Sequence, residues 1–179
     1  MKYGYLAIPV VALILGILVL STPSINPVSE GEGLKYDGVV CVYKNNQLVE
    51  CKHNLITNLG LNLIKTTAGG GTTAMLINKI AVANATGTAQ AATDILLTGE
   101  WASCGLTATT GTYVNQAGNG QWNITYQWTQ TGCSDVLVNG TGLYNATGTN
   151  QLFAETTFSA VTLQANDRIN VTWGLVVSS

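Results

Sequence analysis

Charge is what this sequence has least of. Asp, Glu, Lys and Arg make up only 9 % of its 179 residues, against a usual share of about a quarter. A surface so poor in charge lacks the mixed repulsion that keeps small proteins apart. Glycans, or permanent burial against identical neighbours, are the expected substitutes. The seven Lys and Arg are scattered singly and the net charge is -2. No basic stripe faces a phosphate backbone, which argues against nucleic acid as a partner. Histidine occurs once and no C-x-x-C spacing is present, so no metal ligand set is expected. His53 lies between Lys52 and Asn54 without a nucleophile and an orienting acid assembled in sequence around it. The acidic residues are isolated, and neither a phosphate loop nor a dinucleotide fingerprint occurs. No catalytic residue and no cofactor is assigned, and the chain reads as a non-enzyme.

The longest apolar run is short as well. Lys2 precedes Tyr5 to Leu20, and Ser21, Thr22 and Pro23 follow. A positive start, an apolar core and then small residues describe a secretory signal over residues 1–21, cleaved near Ser21 or Ser24. The run falls below the roughly 20 residues that span a bilayer comfortably. Membrane contact is expected only during export or at the base of an assembly. Residues 22–38, rich in Ser, Pro, Gly and Glu, form an N-terminal extension, and residues 39–179 form the folded domain.

The four cysteines suit an oxidising compartment. Cys41 and Cys51 lie on two β-prone runs around Asn45-Asn46. In a hairpin whose paired numbers sum to 92, Cys41 faces Cys51 and Tyr43 faces Val49, a geometry a cross-strand bridge can use. Cys104 and Cys133 are then left to pair with each other.

What the chain does have is alternation. Trp122, Ile124, Tyr126 and Trp128 share one face of a strand, with Asn123, Thr125 and Gln127 on the other. Ile169, Val171, Trp173, Leu175 and Val177 repeat the pattern against Asn170, Thr172 and Gly174. Further strands are expected over 74–83, 96–101, 106–114, 136–144 and 152–161, separated by Gly, Asn and Asp clusters. A short helix is expected over 54–65, capped by Asn54 and stopped at Gly69-Gly70-Gly71. The fold class is all-β, a β-sandwich or jelly-roll-like domain with one short N-terminal helix. Trp101, Trp122, Tyr126, Trp128, Tyr144 and Trp173 would suit a sugar-stacking platform, but the alternation of the strand aromatics favours core packing.

Five Asn-x-Thr sequons occur, at Asn84, Asn123, Asn139, Asn145 and Asn170. Each is a candidate N-glycan acceptor. Asn123 and Asn170 carry the most weight because both fall on the polar phase of their strands. Asn84 and Asn145 each open the pentapeptide Asn-Ala-Thr-Gly-Thr, read as a shared turn chemistry.

From Asn54 onward the order of features resembles virion and tail β-domains and archaeal surface-filament subunits. The stretches that carry the likeness are Asn54-Leu-Ile-Thr-Asn-Leu-Gly60, Ile77-Asn-Lys-Ile-Ala-Val-Ala-Asn-Ala-Thr-Gly87, Thr93-Asp-Ile-Leu-Leu-Thr-Gly-Glu100, Gly142-Leu-Tyr-Asn145, Leu152-Phe-Ala-Glu-Thr-Thr-Phe158 and the closing Val171-Thr-Trp173. With its signal, sequons and paired cysteines, the chain looks most like the archaeal thread pilins. That resemblance implies an extracellular, N-glycosylated filament, in adhesion or cell–cell contact, whose identical subunits join head to tail by donating an N-terminal strand. The donor would be residues 22–38, with Ile25, Val28, Leu34 and Tyr36 as its apolar members. Pro23, Pro27, Gly31 and Gly33 interrupt their spacing, so a donor running from Leu34 into Val39–Val42 is also compatible. The other readings are a type IV-like pilin that retains residues 5–21 as a helix, a virion or tail module, and a glycan-binding surface module.

Overall fold

The asparagine pair Asn45-Asn46 adopts positive φ at both residues, 49° and 67°, the geometry of a tight hairpin turn. It joins β1 (Lys35–Lys44) to β2 (Gln47–His53). A two-residue turn sets Lys44 opposite Gln47 and Tyr43 opposite Leu48. A register shift between Val42 and Tyr43 then brings Cys41 opposite Cys51. The expected Cys41–Cys51 register therefore holds, whereas Tyr43 faces Leu48 and not Val49.

The computed structural model describes residues 35–71, 75–146 and 151–178, all within the unit Gly33–Ser179. The signal peptide and most of the extension lie outside the described residues. After β2 the described elements are β3 (Leu55–Ile56), α1 (Asn58–Ala68), β4 (Ile77–Ala83), β5 (Thr109–Thr110), β6 (Thr112–Asn115), β7 (Gln121–Thr129), β8 (Val136–Asn145), β9 (Gln151–Leu163) and β10 (Arg168–Ser178). They form two antiparallel sheets, β2-β1-β10-β7-β6 and β3-β9-β8-β4-β5, referred to below as sheets A and B. The fold is an all-β sandwich with one short helix.

The alternating strands bury the faces their patterns assign. Ile124 and Trp128 of β7 join Ile169, Val171, Trp173 and Leu175 of β10 in the core, against Ile80, Val82, Val138, Leu143 and Phe153 of sheet B. Trp173 is wholly buried and Trp128 is nearly so, while Trp122 and Tyr126 pack against the core from its margin. Core packing thus claims the strand aromatics that a sugar platform would have used.

Two local expectations change. The helix begins at Asn58 with Thr57, not Asn54, as its cap. The Thr57 hydroxyl accepts from the Gly60 N–H at 3.0 Å. Residues just before it are pulled into sheet B, Leu55 opposite Glu155 and Ile56 opposite Ala154. Sheet pairing outweighs the local signal of Asn54. Residues 96–101 do not form a strand either. They belong to a strap, residues 84–101, that lies over the outer face of sheet B.

Small residues make that overlay possible. Ala81 and Ala83 of β4 lie beside Gly142 and Gly140 of β8, forming a shallow saddle. A Cβ on Gly142 would meet Leu152 and Leu97, and one on Gly140 would meet Ala85 at 3.0 Å. Leu97 packs into the saddle with Tyr144 and Leu152, a second apolar cluster apart from the main core.

Candidate functional site

Both disulfides form as the sequence suggests. Cys41 is bonded to Cys51 with Cα atoms 4.1 Å apart, and Cys104 to Cys133 at 5.4 Å. The first lies on the outer face of sheet A at the end of a cross-strand row, Thr112, Thr125, Thr172, Cys41 and Cys51. The Thr125 and Thr172 hydroxyls are 2.9 Å apart. Asn170 Oδ1 accepts from Thr172 at 3.3 Å and from Thr125 at 3.4 Å. Asn123 sits opposite Gly174 in the adjacent row, where the missing side chain leaves room beside the amide.

The five sequons separate into two groups. Asn84 is exposed in a turn and accepts from the Thr86 hydroxyl at 2.6 Å. Asn123 and Asn170 are half-buried at the base of shallow clefts on the outer face of sheet A. Their outward phase agrees with the reading of β7 and β10. Asn139 is engaged structurally, accepting from the Ala85 N–H at 2.7 Å and donating to Thr86. Asn145 is 1 % exposed, and its Oδ1 accepts from the Leu76 N–H at 3.0 Å. A side chain held this way leaves little room for a glycan in the folded domain. The first residues of the two pentapeptide copies differ in setting: Asn84 is exposed just after β4, while Asn145 ends β8.

Of the donor residues, Ile25, Val28 and Leu34 lie outside the described residues. Tyr36 is half-buried in β1 and paired with Val177 of the same chain. β1 runs between β2 and β10, so Tyr36 and Val39–Val42 complete the domain's own sheet. The compact unit begins at Gly33 and its first strand at Lys35, inside the segment read as extension.

The edges of the sandwich differ in their cover. The free side of β4 is closed by Gly111, β5, and Trp101 and Gly99 of the strap and the segment after it. β9 is flanked by β3, and the Ser159 N–H donates to Glu50 Oε2 at 2.7 Å. β6 is the open one. Its four residues are all exposed, with Tyr113 60 % and Val114 42 % accessible.

His53 is a surface side chain whose Nδ1 lies 3.3 Å from Asp37 Oδ1. A pairing that sequence did not flag lies under the strap. Glu155, 4 % exposed on β9, and Asp94 of the strap both approach the Ala91 N–H. Burial, followed by the Asp94 hydrogen bond and charge, pushes the Glu155 carboxyl up to about 7. Isolated acids in sequence give no sign of such a meeting, since Asp94 and Glu155 are far apart along the chain.

Among the described residues no helix is long and apolar enough to cross a membrane, and no group of three or more His, Cys, Asp or Glu is placed to hold a metal ion. No family model, curated protein or solved structure matches this chain.

Proposed function

We propose that this protein is a structural subunit of an extracellular filament, built head to tail when the segment before Lys35 of one copy adds to the open edge of the next. The observation that carries the reading is β6. A four-residue edge strand with accessible Tyr113 and Val114 offers unpaired backbone groups beside apolar side chains. An added strand satisfies both at once, as in other β-augmentation complexes. Ile25, Val28 and Leu34 supply apolar members for that strand. Donor and edge are different segments of the chain, so the contact is heterologous and propagates an open polymer. The two disulfides and the outward Asn123 and Asn170 suit a subunit exposed outside the cell.

Deletion of residues 22–34 tests this reading. The expected product is a secreted, folded, monomeric domain, and a synthetic peptide of residues 22–34 should raise its melting temperature. Filaments of normal appearance from the deleted protein would refute it. N-terminal sequencing of native subunits adds a second check: a mature start beyond Ser21 fits strand donation, whereas a start near Tyr5 fits a helical-core pilus.

A further inference from the structure

The strap over sheet B is fastened unevenly. Leu97 is packed at one end, with its N–H donating to the Tyr144 hydroxyl at 2.9 Å. At the apex Ile95 and Leu96 point outward, 62 % and 59 % exposed, and contribute no apolar anchor. What holds the apex is polar. The Asn58 N–H donates to the Ala92 carbonyl at 2.7 Å. The Ala91 N–H lies 3.0 Å from Asp94 Oδ2 and 3.3 Å from Glu155 Oε1.

Two carboxyls converging on one N–H are stable when they share a proton and repel when both are ionised. The space around them is narrow. The cavity there, bordered by Gln90, Leu97 and Thr157, is about 10 Å³, room for no more than about one water. Little water reaches the Glu155 carboxyl to dissipate its charge. The other titratable groups facing Glu155 do not help: Tyr144 from β8 is neutral, and Glu100, which Tyr144 contacts, is acidic. Lys79 is placed opposite Tyr144, not Glu155. β3 contributes only Leu55 and Ile56, and the first turn of α1 carries no acid. Among the described residues no ion pair reaches Glu155.

We propose that Asp94 and Glu155 form a proton-operated latch: with one proton between them the strap apex is fastened to sheet B, and loss of that proton lifts it and uncovers the Ala81, Ala83 and Leu152 saddle. The sign follows from the raised folded-state value of about 7 against an ordinary 4.5. Stabilisation of the fastened state is fully present below about 4.5 and is lost as pH rises through about 7. The latch is independent of how subunits join.

Hydrogen exchange on the full chain tests it, with protection factors corrected for the intrinsic pH dependence. Between pH 5 and pH 8 the Ala91 and Asn58 amides should lose protection roughly a hundredfold relative to the Val171 and Trp173 amides. Glu155→Gln and Asp94→Asn should each abolish that pH dependence, and either variant suffices should the other misfold. Unchanged apex protection in the wild type, the same pH slope in the variants, or an equal loss across β10 would overturn the latch.

Discussion

The Tyr144 hydroxyl donates to Glu100 Oε2 at 2.7 Å while accepting the Leu97 N–H, so one side chain of β8 ties the strap at two points. Burial, followed by the hydrogen bond to Glu100, raises the phenol above its ordinary value of 10. Tyr144→Phe keeps the ring and leaves the buried Leu97 N–H without an acceptor. The expected cost is about 1–3 kcal/mol, read from urea denaturation. Ultraviolet titration of the wild type should show a tyrosine that ionises only beyond the ordinary range, and the variant should lack it.

The two disulfides should differ in weight. Cys104–Cys133 spans 29 residues and Cys41–Cys51 spans 10. Loop-closure entropy assigns the longer bridge about 3–4 kcal/mol and the shorter about 2–3. The hairpin also has its own ladder to hold Cys41 near Cys51. Replacing Cys104 and Cys133 by Ser should therefore lower the denaturation midpoint more than replacing Cys41 and Cys51.

Glycopeptide mapping of the protein from its native source should find glycans at Asn123 and Asn170, with Asn84 also accessible. Asn145 should be bare. A glycan at Asn145 on protein that retains native disulfides would contradict its burial.

Acid should loosen the β1–β2 turn. Asp167 Oδ1 accepts from Asn45 Nδ2 at 2.8 Å, and its Oδ2 meets Lys44 Nζ at 2.9 Å. Asn45, the Gln164 N–H and Lys44 hold the Asp167 carboxyl well below its ordinary 3.8. A depressed acid contributes stability that is present above 3.8 and lost as pH falls through the lower folded-state value. Asp167→Asn should lower the melting temperature at pH 7, and the gap from the wild type should close toward the most acidic conditions.

Period-two patterning was enough to read β7 and β10, because both strands are half-buried with one polar face. The Cys41–Cys51 register was legible for the same reason: a two-residue turn leaves few alternatives. What the pattern missed depends on contacts distant in sequence. Thr57 displaced Asn54 as the helix cap because β9 captures Leu55 and Ile56. Residues 96–101 read as a strand between turn signals, yet they cross a sheet whose small side chains accept a strap. The Glu155–Asp94 meeting leaves no local trace, since it exists only once that strap is laid down. Tyr36 falls in the extension on composition, since residues 22–38 are rich in Ser, Pro, Gly and Glu, but its partner is Val177, distant in sequence.

That last pairing carries a consequence for biosynthesis. β10, the last of the described strands in chain order, occupies the middle of sheet A and supplies the bonds of both β1 and β7. Until residues 168–178 have left the ribosome, the hairpin at the front of the domain and the β6–β7 pair have nothing to join them. The nascent chain can form local hairpins but not the sandwich. Sheet A therefore closes only when β10 joins the strands that precede it.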